Sequence, residues 1–124
     1  MEAHRVKTKR VFHSHKQIVD YWINYEKANK TIPPWGFFDW NEPACMACGI
    51  WSESWDEPKT YGTKWFKSKL EKCHVIPLFM GGPDTTENIV LMCGRCHYSQ
   101  PDNPDPLVTY KYMQDRKAWM VWTA

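Results

Sequence analysis

Leu70-Glu71-Lys72-Cys73-His74-Val75-Ile76-Pro77, a Gly81-Gly82-Pro83-Asp84 turn, and Asn88-Ile89-Val90-Leu91-Met92-Cys93-Gly94-Arg95-Cys96-His97 decide the fold of this chain. Leu70 to Ile76 reads as a strand that Pro77 breaks. The glycine-rich turn follows. Asn88 to Met92 reads as a second strand with a short buried centre at Ile89, Val90 and Leu91. About a dozen residues separate the two strands, so a loop rather than a tight hairpin joins them. A helix is expected after Cys93, carrying Arg95, Cys96, His97 and Tyr98, and the run from Pro101 to Pro106 stops it.

Working outward, Ser14 and Gln17 form a plausible capping box. Ile18, Tyr21, Trp22 and Tyr25 make one apolar stripe of a helix over about His15 to Asn29, which Pro33-Pro34 ends. Residues 31–60 show no period and read as an irregular layer around Cys45 and Cys48. A short helix is expected over 62–70 and a last helix over about Pro106 to Trp122. No repeat or low-complexity tract interrupts the pattern, and 124 residues suit one domain. The eight tryptophans supply large buried area to a small core, so most are expected to be structural.

No apolar run approaches the ~20 residues of a membrane span, and the N-terminus is basic without an apolar signal core. A cytoplasmic location is the expectation (the host cell cytoplasm if the chain is phage-encoded), and disulfides are rare there. That changes the reading of the five cysteines. Four form two pairs, Cys45-Met46-Ala47-Cys48 and Cys93-Gly94-Arg95-Cys96, with Cys73 left over. Each pair brings two sulfurs close together, and two pairs complete a tetrahedral shell that suits structural Zn²⁺ and leaves no open position. Buried free thiols, a redox pair and an iron–sulfur cluster are the competing readings; the redox one lacks its usual βαβ setting.

Net charge is only +2, but charge is blocked. Residues 1–16 carry Arg5, Lys7, Lys9, Arg10 and Lys16 against Glu2; residues 39–58 carry five acids and no Lys or Arg; Lys59, Lys64, Lys67, Lys69 and Lys72 then stand against Glu71. Two basic blocks fit a phosphate footprint, and a solvated face fits them as well.

The order CxxC, Cys73-His74-Val75-Ile76-Pro77, Gly81-Gly82, Asn88-Ile89-Val90-Leu91-Met92-Cys93-Gly94-Arg95-Cys96-His97 resembles the cysteine-bearing, zinc-stapled HNH endonuclease family over about residues 45–102. The resemblance implies an α+β fold: a small ββα-metal (His-Me finger) core with a four-cysteine zinc site, flanked by N-terminal and C-terminal helices. Residues 1–13 would be a basic arm and 14–124 a single nuclease domain. By resemblance, His74 is the general base, Asn88 holds the loop through backbone hydrogen bonds, and His97 binds a catalytic divalent ion (Mg²⁺, Mn²⁺ or Ni²⁺). Lys64, Lys67, Lys69, Lys72 and Arg95 are the expected nucleic-acid contacts. The residue-level alternatives are a structural His74, a plain turn residue at Asn88 and a further zinc ligand at His97.

Two positions depart from the family pattern. Many members carry Asp, Glu or His where Cys73 stands, and Lys or Arg where Tyr98-Ser99-Gln100 follow His97. The resemblance implies metal-dependent DNA cleavage by a monomer or homodimer, without a membrane partner. The alternatives are a non-catalytic zinc-ribbon nucleic-acid-binding module and an accessory subunit of a phage packaging or restriction machine.

Overall fold

The computed structural model describes residues 11–30, 33–35, 44–50, 65 and 68–123, with side chains through residue 116. Helix α1 spans His15–Asn29. Its first turn is closed by a reciprocal cap: the Gln17 N–H donates to Ser14 Oγ, and the Ser14 N–H donates to Gln17 Oε1. Lys30 ends it in the left-handed conformation. Ile18, Val19 and Trp22 are its buried face, and Tyr21 and Tyr25 lie partly buried at its edge.

Strands β1 (Glu71–His74) and β2 (Ile89–Met92) pair antiparallel, with Glu71 opposite Met92 and His74 opposite Ile89. A two-stranded sheet is marginal alone, so its stability comes from what covers it. All four residues of β2 are buried. From α1, the Trp22 indole N–H donates to the Ile89 carbonyl at 2.9 Å. From the first cysteine pair, the Met46 N–H donates to the Leu91 carbonyl at 2.9 Å. Trp22, Trp35 and Trp65 are all fully buried, and Trp22 meets Trp35 edge to face at 5.7 Å.

Both strands are shorter than the sequence suggests. The Val75 N–H still reaches the Asn88 carbonyl, but the next residue, Ile76, gives its backbone groups to the Asn88 side chain. Asn88 closes a 3-10 turn, Thr86–Asn88, and does not open the strand. A second 3-10 turn, Leu78–Met80, precedes Gly81. The expected helix over 62–70 falls mostly outside the described residues, as do 31–32, 36–43 and 51–60 of the irregular layer expected over 31–60.

Helix α2 is a short piece, Gly94–Tyr98, with Cys93 as its N-cap. Helix α3 spans Pro106–Thr123 and starts on proline, whose missing N–H costs nothing at a first helical position. Asp105 Oδ1 accepts the Leu107 N–H there. Helix α3 is tied to the sheet and to α2 by side-chain bonds: the buried Thr109 hydroxyl donates to the Val75 carbonyl, and the Tyr112 hydroxyl to the Cys96 carbonyl. The result is a small α+β fold of two strands and a short helix, flanked by α1 and α3.

Candidate active site and metal centre

The Sγ atoms of Cys45, Cys48, Cys93 and Cys96 lie within 4.8 Å of one another, with Cys48 and Cys93 at 3.9 Å. A tetrahedral ion at a Zn–S length of about 2.3 Å spaces sulfurs by about 3.8 Å, so the cluster fits Zn²⁺. Backbone geometry prepares the sulfurs. Cys45 Sγ accepts the N–H groups of Cys48 and Cys93, and the Arg116 side chain hydrogen-bonds Cys96. The thiols perturb one another strongly. The hydrogen bond to Cys48, with burial, pushes Cys45 up, and the same bond lowers Cys48. Burial pushes Cys96 up to about 11.

Cys73 stays outside this group. It stands in β1 with its side chain fully buried, its thiol points to the Glu71 carbonyl, and burial pushes its pKa up. A protonated, buried thiol packs as a small apolar side chain.

His74 ends β1, where Ile76-Pro77 turns the chain out of the sheet. The loop beyond is held by one buried amide. Asn88 Oδ1 accepts the Ile76 N–H at 2.8 Å, and Asn88 Nδ2 donates to the carbonyls of Ile76 and Pro83 at 2.9 Å each. Gly82 makes that staple possible: a Cβ there would lie 2.0 Å from the Ile76 carbonyl oxygen and 2.9 Å from Asn88 Nδ2. Gly81, at φ +92°, supplies the left-handed step that turns the loop. The Gln100 amide donates to the His74 carbonyl at 2.8 Å, so the stretch after α2 fixes the end of β1.

His74 Nε2 lies 3.0 Å from Asp84 Oδ1, and His97 Nδ1 lies 2.7 Å from Glu71 Oε1. An ionised carboxylate only accepts hydrogen bonds, so each of these ring nitrogens carries the proton. The remaining nitrogens, Nδ1 of His74 and Nε2 of His97, have no hydrogen-bond partner among the described residues. Both histidines line one cavity of about 490 Å³, together with Pro77, Phe79, Gln100 and Asp102. His74 also borders a second cavity of about 360 Å³, lined by Phe12, His13, Lys72 and Asp84.

This arrangement of β1, loop, β2 and α2 is where comparison with known proteins is informative. Residues 60–101 match the HNH endonuclease family model. The HNH segment covers 42 of the 124 residues and holds His74, Asn88, His97 and the second cysteine pair. Cys45 and Cys48 lie before it, and the fold brings them to it. Neither a curated protein nor a solved structure matches the chain.

The expected phosphate contacts are only partly visible. Lys64, Lys67 and residues 1–10 of the basic arm lie outside the described residues. Lys69 is exposed at a positive φ, and Arg95 is exposed on α2. Lys72 sits 4.2 Å from the ring centroid of the exposed Phe12. No described helix is long and apolar enough to cross a membrane.

Sequence reasoning missed Glu71, Asp84, His13 and Gln100. For Glu71 a signal existed: it is the lone acid among the lysines of 59–72 and stands three residues before His74. Asp84 lies in a Gly-Gly-Pro-Asp turn, where aspartate needs no functional reason.

Proposed function

We propose that this chain is a metal-dependent endonuclease that hydrolyses phosphodiester bonds of DNA, with His74 as general base. The observation that carries the reading is the pair of imidazoles on one cavity, each held by a carboxylate through one ring nitrogen. The match to the HNH endonuclease family supports it.

In this reading a water in the cavity gives its proton to Nδ1 of His74. Its oxygen forms a bond to phosphorus as the bond to the leaving oxygen breaks, and the leaving oxygen takes a proton from solvent. Asn88 holds the loop, and with it the chain leaving β1, through its bonds to Ile76 and Pro83. His97 Nε2 would be the ligand for a catalytic divalent ion (Mg²⁺, Mn²⁺ or Ni²⁺), and Asp102 lines the same cavity. Such an ion, when bound, neutralises charge on the phosphate and on the leaving oxygen.

Cys45, Cys48, Cys93 and Cys96 would hold the zinc, which would fasten α2, and with it His97, to the first cysteine pair. His97 is not a fifth zinc ligand in this reading, because four sulfurs already close a tetrahedral shell and neither ring nitrogen of His97 joins their group. The basic blocks meet phosphates and position the strand without reading sequence. One centre cuts one strand, so a monomer nicks and a double-strand cut needs a dimer or two events. The test is supercoiled plasmid incubated with zinc-loaded protein, with and without Mg²⁺, Mn²⁺ or Ni²⁺. Metal-dependent conversion to the open circle is expected. Folded, zinc-loaded protein that leaves the plasmid intact with all three ions would favour a binding module over an enzyme.

A further inference from the structure

The side chain of Asp84 is only 6% exposed, yet it bears a carboxylate. Burying such a group costs free energy unless it is well bonded, and here it is bonded from two separate parts of the chain. Oδ1 meets His74 Nε2 at 3.0 Å, and Oδ2 accepts the Val11 N–H at 3.0 Å. The Asp84 carbonyl meets His13 Nε2 at 2.9 Å, and the same His13 nitrogen stands 3.9 Å from Oδ1. Residues 11 and 13 therefore grip Asp84 from either side of Phe12, more than 70 positions away in sequence.

We propose that Asp84 is a positioning residue for His74, and that the segment Val11–His13 is the clamp that holds Asp84 in place. The proposal rests on the reading of His74 as the base. The chemistry is specific. A neutral imidazole carries its proton on either nitrogen, and only the form protonated on Nε2 offers a lone pair on Nδ1. Asp84 cannot donate, so it selects that form; it also fixes the ring's rotation about its side-chain bonds. An asparagine in its place can offer an N–H to Nε2, which favours the opposite form. Residues 11–13, expected from sequence only as part of a phosphate-binding arm, thereby become part of the reacting centre's support.

The experiment combines ring ¹⁵N NMR of the full-length, zinc-loaded protein with plasmid-nicking kinetics. The His74 ring is assigned by its loss in His74→Ala. In the parent, His74 is expected in the Nε2–H form. Asp84→Asn should move it toward the Nδ1–H form and lower kcat by about 10- to 100-fold, as loss of an orienting partner does, with KM nearly constant. Asp84→Glu should restore part of kcat. If Asp84→Asn fails to hold zinc and fold, Val11→Pro removes the N–H that Oδ2 accepts, leaves the carboxylate itself in place, and should still lower kcat severalfold. A parent His74 in the Nδ1–H form overturns the proposal. So does a folded Asp84→Asn, or with it unfolded a folded Val11→Pro, that keeps the parent's ring state and kcat. The ring spectrum stands apart from activity: a tautomer switch in a protein that cuts nothing supports the positioning and rejects the endonuclease reading.

Discussion

Glu71 and His97 stand 26 residues apart in sequence and meet at 2.7 Å, Oε1 to Nδ1, across the gap between β1 and α2. Both side chains are about half exposed, so the pair contributes little to stability. Its effect is to leave Nε2 as the nitrogen His97 can offer to an ion. Glu71→Ala is therefore expected to fold normally, keep its zinc, and need about 10- to 100-fold more Mg²⁺ or Mn²⁺ for half-maximal nicking. A metal titration of the nicking rate measures this, and an unchanged midpoint would remove Glu71 from the account.

Asn88 satisfies three backbone groups from one buried amide. Asn88→Ala leaves the Ile76 N–H and the carbonyls of Ile76 and Pro83 without that partner. Loss of a buried hydrogen-bonding group of this kind costs about 1–3 kcal/mol. Urea denaturation should show that loss at an unchanged m value. Asn88→Asp, which keeps the acceptor but turns a carboxylate oxygen toward the two carbonyls in a buried site, should lose at least as much as Asn88→Ala at neutral pH.

The four-sulfur cluster predicts one zinc per chain by elemental analysis. Cys93→Ser should lose most of it and much of the cooperative unfolding transition, since a structural zinc contributes directly to folding. Cys73→Ala should retain the parent's zinc content, because Cys73 faces the core and not the cluster. Zinc lost in both variants alike would contradict the assignment.

His15 gives the fold a pH dependence. Its ring is bonded to the Leu70 carbonyl, but burial and then the charge of Lys72 hold its pKa below the ordinary 6.5. The unfolded chain then binds a proton in a pH range where the folded one rejects it. The contribution to stability is fully present above about pH 6.5 and is lost as pH falls from there toward the folded-state value. His15→Gln removes it. Between about pH 7 and pH 5 the parent should lose more unfolding free energy than the variant, and equal losses would show that His15 plays no part.

What was legible in the sequence is chemistry that sits in short segments. The two CxxC pairs and α1 with its Ser14–Gln17 cap rest on residues at fixed local spacing. Contacts across long separations were not legible. Asp84 touches Val11 across 73 positions, and nothing in a Pro-Asp turn announces that partner. The end of β1 was misjudged for a related reason. Val75 and Ile76 have strand propensity, but the Asn88 side chain takes both backbone groups of Ile76 and the Thr109 hydroxyl bonds the Val75 carbonyl.

The most direct test of the account concerns His74. Parent and His74→Ala proteins, matched for zinc content and far-ultraviolet circular dichroism, are compared on supercoiled plasmid with Mn²⁺ or Mg²⁺. Loss of a general base predicts a fall in nicking of about 100-fold or more, with zinc and fold intact. A His74→Ala protein that nicks at the parent's rate would contradict the assignment of the base.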